Sequence, residues 1–225
     1  MKNFKSAILV VVALVLSITI NAQEKMTEGV IVTKMTMSSP NEQVQAQLAM
    51  MGEIISTTYF KNEFTRSETS SPMTGEATSI IDTKNKKMLT LMNSPALGGK
   101  IYSENFYEPS EEDLKNITIT KGDKTKTILG YTCNEYNVVT TVNGVEAKMT
   151  MYTTEAIEAA NQQTTALGEA FKGFPMYMEV NVEQMGMAMR MTYEATKINA
   201  EKVADDKFDM TAPEGYKKMD KLPGM

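Results

Sequence analysis

Histidine is absent from the 225 residues, cysteine occurs once, and the 23 basic side chains are outnumbered by 28 acidic ones. Each shortage closes off a class of function. Without histidine, a Ser-His-Asp or Cys-His nucleophilic site is impossible, and the usual zinc sites lose their commonest ligand. There is no G-x-S-x-G elbow, no G-x-G-x-x-G and no phosphate-binding loop; Gly98-Gly99-Lys100 lacks both the upstream glycine and the following Ser or Thr. No enzymatic activity, catalytic residue, metal or cofactor is therefore expected. Cys133 stands alone, so no intramolecular disulfide can form. With no histidine to activate it and no second cysteine to resolve it, it reads as a small buried side chain rather than a reactive thiol.

Long apolar runs are also scarce. One occurs, at residues 7–20, preceded by Lys2 and Lys5 and followed by Asn21, Ala22 and Gln23. Its 14 residues fall short of the roughly 20 needed to span a bilayer, and the pattern is that of a secretory signal peptide. Residues 1–22 are accordingly set aside, no transmembrane segment is expected after cleavage, and an exported protein is predicted. The mature chain would carry 21 basic side chains against 28 acidic, a net charge of −7. That balance excludes the clustered Lys and Arg of a nucleic-acid partner. About 200 residues suffice for one domain, placed at 23–218, with a frayed tail at 219–225. A monomer is the expectation.

What is present is alternation. In "EGVIVTKMTM" Ile31, Thr33, Met35 and Met37 share one strand face, and many short strands follow, separated by "SSPMTGE", "TKNK", "SPALGG" and "KGDK". Asn143-Gly144 is a strong hairpin signal, and Val145, Ala147, Met149 and Met151 share a face of its return strand. Two segments change period. Ser39, Pro40 and Glu42 read as a capping-box start of a helix reaching Met51, with Gly52 as terminator and Val44, Leu48 and Met51 on one stripe. A second helix is predicted over about 155–172, with Ile157, Leu167 and Phe171 inward. "DDKFDM" reads as a last short strand. The sum is a mainly β fold: a large curved antiparallel sheet forming a half-open barrel, its two helices covering the concave face.

Carboxylate clusters at Glu111, Glu112 and Asp113 and at Asp205 and Asp206 lie in polar, turn-like contexts and read as solvated loops rather than an acid/base pair. Glu179 and Glu183 likewise read as solvent-facing. The methionines are the anomaly, 20 in all. Met35/Met37, Met149/Met151, Met176/Met178 and the run "MGMAMRM", with Met187, Met189 and Met191, repeat one alternating design. Three readings stay open: core filling, the wall of an apolar cavity, or thioether ligands for copper(I).

The order of parts resembles a family of secreted proteins of Gram-negative Bacteroidota placed with the LolA/LolB-like half-barrel superfamily. The resemblance rests on "TSIIDTKNKKMLTL", "KTILGYTCNEYNV", "MTMYTTE", "GFPMYMEV" and "FDMTAPEGY" and covers about 28–216. It implies a half-open barrel plugged by helices, a periplasmic or extracellular location, and a cavity for lipid or lipoprotein acyl chains. It brings no catalytic residues. The expected function is a non-enzymatic cell-envelope binding protein with a methionine-rich cavity; the alternatives are a structural or interaction module with a filled barrel, or a copper(I)-binding protein.

Overall fold

The computed structural model describes residues 25–71, 75–106, 109, 111–142, 145–168, 171–184, 187–220 and 222. The signal-peptide reading of residues 1–22, the Asn143-Gly144 turn and Met185 lie outside them.

The protein is mainly β: the described residues build one large open sheet of 12 strands, antiparallel throughout except at one edge. Strands β1 (Glu28–Ser38), β2 (Ile54–Lys61), β3 (Phe64–Ser71), β4 (Gly75–Asp82), β5 (Lys87–Ser94) and β6 (Gly99–Phe106) form one meander. A second runs through β7 (Ile117–Ile128), β8 (Tyr131–Val142), β9 (Val145–Thr154), β10 (Phe174–Gln184) and β11 (Met187–Asn199). The two meet where β1 pairs with β11, and the two-residue β12 (Lys217–Lys218) adds to β6 in parallel.

Hairpin chemistry explains much of this. Leu129 and Gly130 join β7 to β8 with φ of 50° and 85°, the pair of left-handed residues that a two-residue turn needs. Between β2 and β3 the turn has one left-handed residue, Asn62 at φ 51°, so the stretch "STTYFKNEFTRSET" is a hairpin although it contains no glycine. Between β4 and β5, Asp82 Oδ1 accepts from the Asn85 amide at 3.0 Å and Asp82 Oδ2 from Asn85 Nδ2 at 2.6 Å.

Several elements differ from the sequence expectation. Helix α1 (Glu42–Met51) forms, but its cap is Asn41, whose side chain accepts from the amides of Gln43 and Val44. Ser39, the expected cap, instead donates to the carbonyl of Ala188 at 2.7 Å, tying the approach to α1 onto β11. Two other short helices are α2 (Glu111–Lys115) and α3 (Gln162–Thr165). The long helix expected over 155–172 is thus one short turn. Its backbone groups are taken elsewhere: Met26 donates to Ala156 O and accepts from Glu158 N, and the Ala160 amide donates to Thr65 Oγ1. "DDKF" is a 3-10 turn, not a strand. The tail is docked rather than frayed in its described part: the Met219 amide donates to Tyr102 O, and Leu222 is buried.

The sheet buries different chemistry on its two faces. Beneath β7–β11, Tyr136, Val138, Met151, Met178 and Val180 pack against Leu167 and Phe171 of the segment after α3. On the first meander the apolar side chains Ile80, Leu89 and Leu91 pack against Met210, Ala212 and Tyr216, while Val30, Tyr59 and Phe64 pack against Val203 and Phe208. The C-terminal segment therefore seals one face of β1–β6. Residues alternate along a strand, so the opposite face of β2–β6 carries Thr58, Ser67, Ser79, Thr90 and Ser103.

A candidate ligand-binding cavity

That opposite face lines a cavity of about 370 Å³, within the ordinary size range of small-molecule sites, roughly 300–1,000 Å³. One wall comes from β1, β10 and β11: Thr33, Met35, Met178, Tyr193 and Ala195. The other comes from β2–β5: Ile54, Ser56, Thr58, Ser67, Thr69, Ala77, Ser79, Thr90 and Met92, with Asn161 and Gln162 at the start of α3 also in the lining.

Strand register orders the second wall and continues its row into β6, whose Ser103 lies outside the lining. Thr58, Ser67, Ser79, Thr90 and Ser103 stand directly opposite one another across five neighbouring strands, one hydroxyl per strand. The adjoining row runs Thr33, Ser56, Thr69, Ala77, Met92. Some of these hydroxyls satisfy one another: Thr58 and Ser67 share a hydrogen bond of 3.0 Å, and Thr69 donates to Ser56 at 3.0 Å. Ser103 Oγ accepts from Asn105 Nδ2 at 3.2 Å. Ser79 and Thr90, between these groups and only 6% and 4% exposed, have hydroxyl oxygens with no hydrogen-bond partner among the described residues. Buried polar groups are nearly always paired, so two adjacent orphans on a cavity wall call for an explanation.

The electrostatics are weak. None of the cavity's described lining residues is a lysine or arginine, and its one carboxylate, Glu194, is exposed. Burial raises the Tyr193 phenol above its ordinary pKa, keeping it a neutral group at physiological pH. No cluster of three or more His, Cys, Asp or Glu side chains able to hold a metal occurs among the described residues. No helix among them is long and apolar enough to cross a membrane.

The residues singled out from the sequence are dispersed. Met35 and Met178 line the cavity. Met151 is fully buried and Met149 and Met191 are half-buried against the Leu167 and Phe171 cluster. Met37 is half-buried opposite Met191. Met176 is separated from Met178: a bulge between Pro175 and Tyr177 breaks the alternation, and Met176 joins Ile31, Phe60, Cys133 and Phe174 instead. Met187 and Met189 are exposed. Val44, Leu48 and Met51 are half-buried on α1, which buries no residue fully and is not part of this cavity's lining. Ile157, Leu167 and Phe171 are buried, from an irregular segment rather than a helix. Asp205 of the acidic pairs makes an ion pair with Lys61 at 2.6 Å, and Glu179 makes one with Arg190 at 3.5 Å.

The hydroxyl rows were missed. Their signal is the Ser/Thr alternation of "ISTTYF" and "FTRSETS", which reads equally well as a solvent face.

No family model matches the chain, and no curated protein does. Among solved structures it is similar to one described as PNGF-II in a C2 space group, at 16% identity and a TM-score of 0.49, over 85% of this chain and 31% of that one. The chain thus spans about a third of that neighbour's length.

Proposed function

We propose that this protein is a non-enzymatic binding protein of the Gram-negative cell envelope, a LolA/LolB-like half-barrel exported by the signal at residues 1–22. Its cavity accepts the acyl chain of a lipid or lipoprotein. The observation that carries the reading is the cavity itself: strands from both meanders, together with Asn161 and Gln162, enclose about 370 Å³ against Met35, Met92, Met178 and Tyr193. Thioethers suit such a wall because they are polarizable and adapt to irregular guests.

Native mass spectrometry of the protein purified from its own envelope is expected to show a lipid-sized mass that dissociates on activation. Ala77→Trp, which fills the cavity, should abolish it. Repeated preparations without any such mass would overturn the reading. A second reading, a filled structural module, draws on Leu167 and Phe171, which already occupy the methionine face of β8–β10. It expects the wild-type and Ala77→Trp proteins each to appear at its own chain mass, with no added ligand.

A further inference from the structure

Resting on the acyl-binding reading above, we propose that Ser79 and Thr90 form a subsite for an uncharged, hydrogen-bonding head group, so that the ligand is a neutral amphiphile such as a monoacylglycerol rather than a fatty acid or a phospholipid. Both side chains are more than nine-tenths buried, both line the cavity, and neither hydroxyl has a partner among the described residues. They are cross-strand neighbours in β4 and β5, so the two side chains stand side by side on the cavity-lining face. Their flanking neighbour in the row, Ser67, is occupied with Thr58. Among the described residues, the buried side-chain oxygens without a partner are these two.

The chemistry of that subsite selects the head group. A hydroxyl can donate to an ester carbonyl or accept from an alcohol, so a pair of them matches a glycerol ester at both kinds of atom. A carboxylate or phosphate would have to give up its hydration with no lysine or arginine among the described lining residues to replace it, and Glu194 would repel it. The apolar remainder of the ligand has the opposite wall, Met35, Met178 and Tyr193. A site built with hydrogen-bonding groups discriminates strongly against a ligand that leaves them unpaired.

The test is calorimetric titration of the wild-type protein at pH 8, below the micelle concentration, with 1-monomyristoylglycerol and with myristate, which share one tail. The expected result is at least tenfold tighter binding of the glyceride. In the Ser79→Ala/Thr90→Val double variant, which removes both hydroxyls, the preference should fall to within about threefold. Thr90→Ser, which keeps the hydroxyl, should keep the preference. Equal affinities in the wild type, or a preference that survives the double variant, would overturn the head-group subsite alone. Binding of neither ligand would overturn the acyl-binding reading and the subsite with it.

Discussion

Cys133 and the Ser79/Thr90 pair show how the same burial acts on different side chains. The Cys133 thiol is fully buried and donates to the Tyr131 carbonyl at 3.4 Å, and burial pushes its pKa up to about 11. The thiolate is the nucleophile, so at pH 8 only about one molecule in a thousand is in the reactive form. The native protein should resist a thiol-modifying reagent for hours and react fully once denatured, as followed by mass; rapid modification of folded protein would contradict this placement. For Cys133 burial removes chemistry. For Ser79 and Thr90 it leaves hydrogen-bonding capacity that a ligand can complete.

At the scale of elements, local turn chemistry competes with the demands of distant partners. The β4–β5 turn is set locally. Burial opposes the Asp82 charge, but hydrogen bonds from the Asn85 side chain and amide and from the Lys84 amide outweigh it, and the carboxyl is held below its ordinary 3.8. A depressed carboxylate contributes stability that is fully present above the unfolded-state pKa and is lost as pH falls through the folded-state value. Asp82→Ala should therefore cost about 2 kcal/mol at pH 7 in urea unfolding. The gap from wild type should hold steady to about pH 5 and narrow below pH 4; a gap that widens in acid would refute the assignment. The 155–172 segment shows the reverse case. Its apolar stripe at Ile157, Leu167 and Phe171 has helical spacing, and all three are buried. The helix is nevertheless forgone, because Met26 and Thr65 supply hydrogen bonds to its backbone at 156, 158 and 160. Burial alone does not require helical φ and ψ.

Across the whole molecule, one sheet is covered twice, from opposite sides. The segment through Leu167 and Phe171 covers the methionine-bearing face of the second meander, and the C-terminal segment covers the apolar face of the first. Phe208 anchors the latter, 7% exposed and stacked on Phe64 with ring centroids 5.8 Å apart. Phe208→Ala should cost about 3 kcal/mol or more in denaturant unfolding, from lost burial and the void left behind. It should also open the C-terminal segment to limited proteolysis. A stability change under 1 kcal/mol with unchanged proteolysis would show that the segment is held by other contacts. The cavity depends on this arrangement: because the C-terminal segment takes the apolar face of β1–β6, the hydroxyl face is left to line it.

Period-two alternation along "EGVIVTKMTM", "ATSIID" and "VEAKMTMYTT" was enough to establish strands, and the punctuation between them an antiparallel meander. Composition alone removed histidine-dependent catalysis. These are properties of neighbouring residues, and neighbours suffice to determine them. Alternation states that a strand has two unlike faces, but it does not state which one turns inward. That sign was decided by the long-range docking of residues 200–218 onto Ile80, Leu89 and Phe64. The bulges at Val32/Thr33 and Pro175/Tyr177 shift the register in the same way, and the second divides Met176 from Met178. Only the tertiary structure could bring Ser79 and Thr90 side by side, because strand pairing, not sequence spacing, makes them neighbours.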